Sequence, residues 1–148
     1  RLTRHFVRTM LSAREGNLSD VPPATLDALE TYAEQTASQL LYLSLEAAVQ
    51  TAAPSTLAPS HVGKAAGIMT VLRGIPGQLA HQRCYLPLDV MAQHRLSLEA
   101  LARLAQGEAD PARSADGPDA DTRSRLADAV FDVATRANDH VITARTHL

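Results

Sequence analysis

The chain has 148 residues, of which 45% are hydrophobic and only 3% aromatic, so it is long enough for one domain with an aliphatic core. Its 14 Lys and Arg nearly balance 16 Asp and Glu, and the net charge of −2 provides no electrostatic footprint for nucleic acid. The single cysteine, Cys84, excludes an internal disulfide, and the longest apolar runs fall short of the roughly 18 residues that indicate a membrane-spanning helix.

The N-terminal segment, residues 1–14, contains four Arg and no acidic residue, a composition typical of a mitochondrial transit peptide. An ordinary amphipathic helix explains the same residues, and we favour it. This interpretation predicts a first helix over residues 2–15. Its core-facing side would be formed by Leu2, Phe6, Val7, Met10 and Leu11.

The second helix is predicted to begin after Thr25, a good N-cap residue, and to continue to about Thr51. Apolar and small residues recur along it at spacings of three and four, which indicates a helix packed on a core. The residues of this stripe are Leu26, Leu29, Ala33, Thr36, Leu40, Leu43 and Ala47.

The third helix is predicted over residues 61–72, with Ser60 as its cap. Three small residues, Gly63, Ala66 and Gly67, lie on this helix. Because glycine costs about 1 kcal/mol relative to alanine inside a helix, two of them indicate a close approach by another helix. The glycine and proline residues at 74–77 predict that the helix stops there.

Helices are also predicted near residues 87–93, over residues 98–105 with Ser97 as the cap, and over residues 122–148. Between the last two lies an acidic segment, residues 108–121, without a large apolar residue, which predicts a flexible loop. The apolar side of the last helix is formed by Leu126, Ala129, Val130, Val133, Ala137, Val141 and Ala144.

The segment of residues 61–89 combines the small-residue helix, the Leu72-Arg73 pair, the Gly/Pro break and an Arg-Cys-Tyr-Leu-Pro sequence at residues 83–87. This order resembles the second active-site helix of the squalene/phytoene synthase family. In that family the helix ends in Leu-Arg-Asp, a second Asp follows four residues later, and an Arg-x-Tyr-Leu-Pro segment comes soon after. The resemblance covers nearly the whole chain apart from the acidic segment.

Two further segments are more similar to the mitochondrial complex I assembly factor 6 family. The pattern Tyr-Ala-Glu-x-Thr-x-Ser-x-Leu-Leu-Tyr-Leu matches residues 32–43, and His-x-Gly-Lys-Ala-x-Gly-Ile matches residues 61–68. The resemblance implies an all-α fold, an isoprenoid-synthase-like helical bundle of which about half is represented as a single domain over residues 1–148. The first aspartate-rich motif of the synthases would lie upstream of residue 1, and the chain, which starts with Arg1, is expected to be processed or truncated.

The positions that match the two aspartates of the second motif are Gly74 and Gln78. Release of diphosphate in the synthases requires Mg²⁺, which prefers carboxylate, phosphate and water oxygens. Two Asp spaced i, i+4 on a helix share one face and can hold such ions. We therefore expect a degenerate motif with no catalytic residue, no metal ligand and no cofactor. The next carboxylate, Asp89, is expected to cap the helix that follows it.

The resemblance makes Lys64, Arg73, Arg83, Tyr42 and Tyr85 the candidate phosphate- or lipid-binding residues. Basic residues near these positions help to hold diphosphate in the synthases, and the two tyrosines would line the cavity. The alternative is structural. The arginines would pair with acids, and the tyrosines would be core residues with hydrogen-bonded hydroxyls.

Histidine and cysteine chemistry is not predicted. His140 and His147 share a helix face, but no third ligand follows at close spacing, and a zinc site needs three or four ligands. Cys84 is expected to pack in the interior, since no base partner is apparent.

The resemblance implies a non-catalytic synthase-like protein of mitochondria, in the matrix or on the matrix face of the inner membrane. It would act as an assembly factor or structural partner of a respiratory complex, complex I by resemblance. Its partners would be complex I subunits or assembly factors, with an isoprenoid or lipid and a peripheral membrane contact as further candidates. The alternatives are an active Mg²⁺-dependent prenyltransferase and a non-enzymatic isoprenoid or lipid carrier.

Overall fold

The polypeptide is helical where aliphatic residues recur at helical spacing, and a computed structural model describes residues 2–48, 57–107 and 118–147. Within these ranges there is no strand, so the predicted all-α fold is confirmed. None of the described helices is both long and apolar enough to cross a membrane. In chain order the helices are α1 (Arg4–Gly16), α2 (Leu26–Ala33), α3 (Gln39–Ala48), α4 (Leu57–Ala80), α5 (Leu88–Gln93), α6 (Leu98–Gly107) and α7 (Pro118–Arg145).

The core forms where α4 packs along α7 and against α2 and α6. Burial of aliphatic surface contributes roughly 25 cal/mol per Å², so this aliphatic cluster provides the main driving force for folding. Cys84 belongs to it, as expected, and is 2% exposed. The buried apolar residues include Leu29, Ala33, Ile68, Leu72, Ile75, Leu79, Leu86, Leu101, Val133 and Ala137.

A π-helical segment, Glu34–Ser38, joins α2 to α3. A π turn inserts an extra residue, which rotates the following side chains around the helix axis. Before the segment the predicted stripe is buried, with Leu29 and Ala33 in the core. After it, Leu40 is 50% exposed, and Gln39 takes the buried position. The prediction that one stripe runs from residue 26 to residue 47 is therefore wrong beyond the π segment, and residues 49–51 lie outside the described structure.

The helix α4 crosses the α2–π-segment region with no side chains between the two backbones at two points. A Cβ atom added to Gly63 would overlap the Cα and Oγ atoms of Ser38. A Cβ atom added to Gly67 would lie 2.6 Å from the Cβ atom of Ala33. The predicted close helix approach at these two glycines is confirmed, whereas Ala66 is exposed.

The helix α4 is longer than predicted at both ends. Ser60 lies inside it and does not cap it, and the helix continues through Pro76 to Ala80. The predicted stop at residues 74–77 is wrong because the buried stripe of Ile68 and Leu72 continues with Ile75 and Leu79 beyond the glycine and around the proline. Packing of these side chains outweighs the unfavourable effect of proline inside a helix.

The helix α1 lies on the surface and buries none of its residues. Leu2, Val7 and Leu11 are 54%, 39% and 57% exposed, so the prediction that they face the core is wrong. Phe6 and Met10 are half-buried, and the Phe6 ring contacts the Tyr42 ring at a centroid distance of 5.4 Å. The helical spacing of the apolar residues predicts the helix but not which of its faces packs.

The C-terminal part follows the prediction with three differences. Ser97 caps α6 through a 3.1 Å hydrogen bond from the Ala100 N–H, as expected. The helix α7 begins at Pro118, so the last residues of the predicted acidic loop are helical, and residues 108–117 lie outside the described structure. On α7 the inward position near the C-terminus belongs to His140, whereas Val141 is 37% exposed. His147 lies beyond the end of α7, so it does not share a helix face with His140.

Replacing Gly63 with alanine tests the close crossing. We expect Gly63→Ala to lower the free energy of unfolding by about 1–3 kcal/mol, because the new methyl group overlaps backbone atoms of Ser38. Gly77→Ala on the same helix is the matched control, since nothing lies within 4 Å of its added Cβ atom. The control should be neutral or stabilising by up to about 1 kcal/mol. Equal effects of the two substitutions in urea unfolding would contradict the crossing.

Candidate functional site

Gly74 and Gln78 lie on one face of α4, one turn apart. The helix is continuous through both residues. A Cβ atom added to Gly74 would lie 2.6 Å from Nε2 of Gln78, which shows how closely the two positions face each other. The geometry that a pair of metal-binding carboxylates at i, i+4 needs is present, although neither position carries a carboxylate.

The side chain of Gln78 is engaged within the protein. Its Nε2 donates to the carbonyl of Val71 at 3.2 Å, and its Oε1 accepts from the Tyr85 N–H at 3.1 Å. Its backbone carbonyl accepts from the Arg83 N–H at 2.9 Å. These bonds fasten the returning segment, residues 81–87, to the end of α4. Gln78 therefore acts here as a structural bridge.

Arg83 and Tyr85 both contact Asp20. A guanidinium nitrogen of Arg83 lies 3.0 Å from Oδ2 of Asp20, and the Tyr85 hydroxyl donates to Oδ1 at 2.5 Å. This hydrogen bond to Asp20 raises the pKa of Tyr85 above its ordinary value. Asp20 itself has a positive φ of 55°, a conformation that its contacts must hold in place. The pairing of Arg83 with an acid matches the structural alternative for this arginine.

A small cavity of about 150 Å³ lies beside Tyr85. Its walls are mostly apolar, so it offers no set of charged ligands for a diphosphate. The lining residues are Asn17, Val21, Pro23, Leu29, Tyr32, Val71 and Tyr85.

Asp89 caps a different helix from the one expected. It lies in the first turn of α5. Its Oδ2 accepts from the N–H of Leu26, the first residue of α2, at 3.1 Å, and Oδ1 accepts from the Val90 N–H at 2.8 Å. The prediction that Asp89 caps the following helix is wrong, because Pro87 is the N-cap of α5 and the Asp89 carboxylate reaches the N-terminus of α2. Backbone hydrogen bonds from the N–H groups of Leu88 and Asp89 to the carbonyls of Pro23 and Ala24 hold the start of α5 beside the start of α2. Asp89 is thus a structural carboxylate that joins two helix N-termini.

A second polar cluster surrounds Glu34 at the start of the π segment. The Tyr42 hydroxyl donates to Oε1 of Glu34 at 2.6 Å, and the Ser60 hydroxyl donates to Oε2 at 2.7 Å. Gln39 donates to the Glu34 carbonyl, while its own Oε1 is buried without a hydrogen-bond partner. π segments often occur where a helix carries a functional or packing constraint.

The contacts in this cluster shift the pKa values of Glu34 and Tyr42 in opposite directions. Burial by itself would raise the pKa of Glu34, but hydrogen bonds from Tyr42 and Ser60 and the positive charge of Lys64 outweigh it, and the pKa lies below its ordinary value. Burial, together with the bond to Glu34, raises the pKa of Tyr42 to about 12. Tyr42 therefore stays a hydrogen-bond donor, and Glu34 stays ionised, at neutral pH.

The candidate phosphate- or lipid-binding residues fall into separate places. Tyr42 and Lys64 belong to the Glu34 cluster, near the N-terminal end of α4. Arg83 and Tyr85 lie with Asp20 at the other end of that helix. Arg73 is exposed on α4, about 14 Å along the helix axis from Lys64. The described structure does not bring the five residues together into one site.

The structure also pairs two histidines that the sequence did not connect. Nδ1 of His61 on α4 faces Nδ1 of His140 on α7 at 2.9 Å, and the His147 ring stacks on His61 at a centroid distance of 6.0 Å. The pairing depends on how α4 lies along α7, which no local spacing encodes. In the described ranges, no group of three or more His, Cys, Asp or Glu side chains is arranged to hold a metal ion.

Comparison with models of protein families identifies one family. The sequence model of that family, described as squalene/phytoene synthase, matches residues 1–148. The chain is 37% identical over 145 residues to a protein of Rattus norvegicus named "NADH dehydrogenase (ubiquinone) complex I, assembly factor 6". It is 34% identical to the protein of the same name in Homo sapiens, and 35% identical to the homolog in Drosophila melanogaster.

Each of these three matches covers 98% of the chain and 39% of the relative. The chain thus spans about two fifths of the length of the curated relatives it matches. No solved structure shows a significant match.

The Glu34 cluster makes a pH prediction. A carboxyl with a lowered pKa stabilises the fold above its ordinary pKa of 4.5, and this contribution disappears as the pH falls through the lower folded value. We expect wild-type protein to lose more stability than Glu34→Gln between pH 6 and about pH 3, measured by urea unfolding. Glu15→Gln, at an exposed position on α1, is the control and should follow the wild type. Identical acid profiles for wild type and Glu34→Gln would refute the arrangement.

The bridging role of Gln78 makes a second prediction. Gln78→Ala should lower the free energy of unfolding by about 1–3 kcal/mol, because the part-buried Tyr85 N–H loses its acceptor. Gln78→Glu retains an acceptor for Tyr85 and should cost less than the alanine. Gln106→Ala on the exposed side of α6 serves as the control. The bridge is excluded if Gln78→Ala unfolds at the same urea concentration as the control.

Proposed function

The chain belongs to the squalene/phytoene synthase family, and from this membership we propose that it is a non-catalytic member that serves as an assembly factor or structural partner of respiratory complex I. The single observation that carries the proposal is the face of α4 at Gly74 and Gln78. This face retains the spacing of a metal-binding pair but carries no carboxylate.

The chemistry of prenyl condensation explains why this face matters. Ionisation of an allylic diphosphate leaves a highly charged leaving group, which needs divalent ions and anionic oxygen ligands to hold them. Gly74 offers no side chain, and the Gln78 amide is neutral and is already bonded to Val71 and Tyr85. An aspartate at residue 74 would also meet the Gln78 side chain. These contacts support a structural role for this face of α4 in place of metal binding.

The names of the relatives support the assembly role. They are called complex I assembly factor 6 in mammals, and the homologs in Drosophila melanogaster and Dictyostelium discoideum carry the same name. We propose accordingly that the protein acts in mitochondria, in the matrix or on the matrix face of the inner membrane. Its partners would be complex I subunits or other assembly factors. Residues 1–148 would form one helical domain of a larger protein.

The remaining basic residues leave room for a bound ligand. Arg73 is exposed next to Gly74 on α4, and Lys64 lies near the Glu34 cluster. A protein that kept part of a lipid cavity would bind an isoprenoid or a lipid phosphate without turning it over. This ligand role would accompany the assembly role, and the experiments below separate the two.

Two assays of the full-length protein test the absence of catalysis. We expect no Mg²⁺-dependent turnover of farnesyl or geranylgeranyl diphosphate, because α4 cannot hold the ions of the leaving group. Turnover that disappears in Arg73→Gln would overturn the proposal and establish the prenyltransferase. Saturable binding of a fluorescent prenyl diphosphate without turnover would instead add the carrier role.

A genetic assay tests the assembly role. In cells that lack the protein, full-length wild type should restore assembled complex I, measured on native gels. Arg73→Gln should restore it equally well if the α4 end is not catalytic, whereas Gly63→Leu should fail because the crossing with Ser38 cannot close. Affinity purification from mitochondria should recover complex I subunits or assembly factors. Normal complex I in the deletion strain would contradict the proposed function.

A further inference from the structure

The pair of His61 and His140 lies at the interface of α4 and α7, and its geometry is that of a direct hydrogen bond. The two Nδ1 atoms are 2.9 Å apart, and the ring centroids are 5.1 Å apart. The centroid distance exceeds the distance between the nitrogens by nearly twice the distance from an imidazole centroid to its nitrogen. Each Nδ1 atom therefore points almost directly at the other. Two ligands of one tetrahedral metal ion would instead converge on a third point.

A contact of this kind holds one hydrogen between the two nitrogens. A neutral imidazole has one donor and one acceptor nitrogen, and a charged imidazolium has two donors. His140 is 9% exposed, and its Nε2 lies 3.2 Å from Oε2 of Glu30, outside hydrogen-bond geometry. A hydrogen on Nε2 is favoured because a lone pair there would face a carboxylate. Nδ1 of neutral His140 therefore accepts, and His61 donates.

The contact between the two Nδ1 atoms cannot persist when both rings are protonated. The neutral pair and the singly charged pair both keep one hydrogen between the rings, since either a neutral or a charged His61 can donate to His140. When both rings are charged, two N–H groups oppose each other across 2.9 Å. The contact must then open.

The groups around the pair come from every neighbouring element. Glu30 on α2 and Glu34 in the π segment are the facing acids, and Arg136 on α7 bonds Glu30 at 2.7 Å. Lys64 on α4 and His147 after α7 are the facing cations. Arg136 bonds one oxygen of Glu30 while the other oxygen faces Nε2 of His140, and the cations Lys64 and His147 oppose a second charge on the pair.

We propose that His61 and His140 form a pH-sensitive latch between α4 and α7, which is closed while the rings share one hydrogen and opens when both become charged. The latch stands at one end of an apolar cleft of about 530 Å³ between these helices. Val62 and Val141, the neighbours of the latch residues, line that cleft together with Met69 and Ala134. Opening the latch would therefore widen this cleft and expose more of its apolar lining.

The proton affinity of His61 agrees with the geometry. Burial and the charges of His140, Lys64 and His147 lower the pKa of His61 below its ordinary value of 6.5. The folded protein then binds this proton less readily than the unfolded chain. The contribution of uncharged His61 to stability is fully present above about pH 6.5, and it is lost as the pH falls through the lower pKa of the folded state.

Thermal unfolding of the full-length protein tests the latch. His61→Asn replaces the ring with a neutral amide that can still bond to His140, so it removes the second charge. Between about pH 7.5 and pH 5.5, we expect the Tm of the wild type to fall by roughly 5 °C more than that of His61→Asn. His81→Asn is the control, because His81 is exposed and bonds the Gly77 carbonyl. An equal drop in wild type and His61→Asn would overturn the latch.

Two measurements on the wild type keep the proposal testable if the variant does not fold. Imidazole ¹⁵N spectra should show the pair titrating in two separate steps, with the second step accompanied by faster amide exchange at residues 57–66 and 137–145. Independent titration of the two rings with unchanged exchange would refute the latch. A rise in the Tm of the wild type on addition of Zn²⁺ alone would also refute it by assigning the pair to a metal.

Discussion

The close crossing of α4 over residues 33–38 is the constraint on which the rest of the structure depends. Two glycines, Gly63 and Gly67, remove the side chains that would hold the backbones apart, and Ser38 and Ala33 fill the space. The Ser38 hydroxyl then reaches the Ser60 carbonyl at 3.1 Å. The same crossing places Ser60 against Glu34. It is therefore a condition for the Glu34 cluster, and it fixes where α4 presents His61 to α7.

The sequence predicted the helices and this crossing because both follow from local rules. Apolar spacing and the rarity of glycine inside helices are short-range signals. The sequence failed where tertiary packing decided. Pro76 and its neighbouring glycines predicted a helix end, but the buried side chains of Ile75 and Leu79 carry the helix onward. The helical spacing predicts an inward Leu40, because no local signal reveals the π segment that rotates it outward.

The candidate site, like the fold, could be predicted from the sequence only in part. The resemblance located Gly74 and Gln78, and the structure adds that they share a face and that the Gln78 amide bridges α4 to the segment of Tyr85. The role of Asp89 at the start of α2 and the meeting of His61 with His140 depend on contacts between residues more than 60 positions apart. Such contacts follow only from the packed arrangement of helices.

The end of α4 at Gly74 and Gln78 is held in this chain by the neutral hydrogen bonds of the Gln78 amide and by aliphatic packing. The most direct measurement of this account is a crystal structure of the full-length protein grown with Mg²⁺ and a non-hydrolysable farnesyl diphosphate analogue. We predict no Mg²⁺ between the analogue and the face of α4 at Gly74 and Gln78, with the Gln78 amide still bonded to Val71 and Tyr85. Magnesium ions bridging the diphosphate to that face would contradict the account.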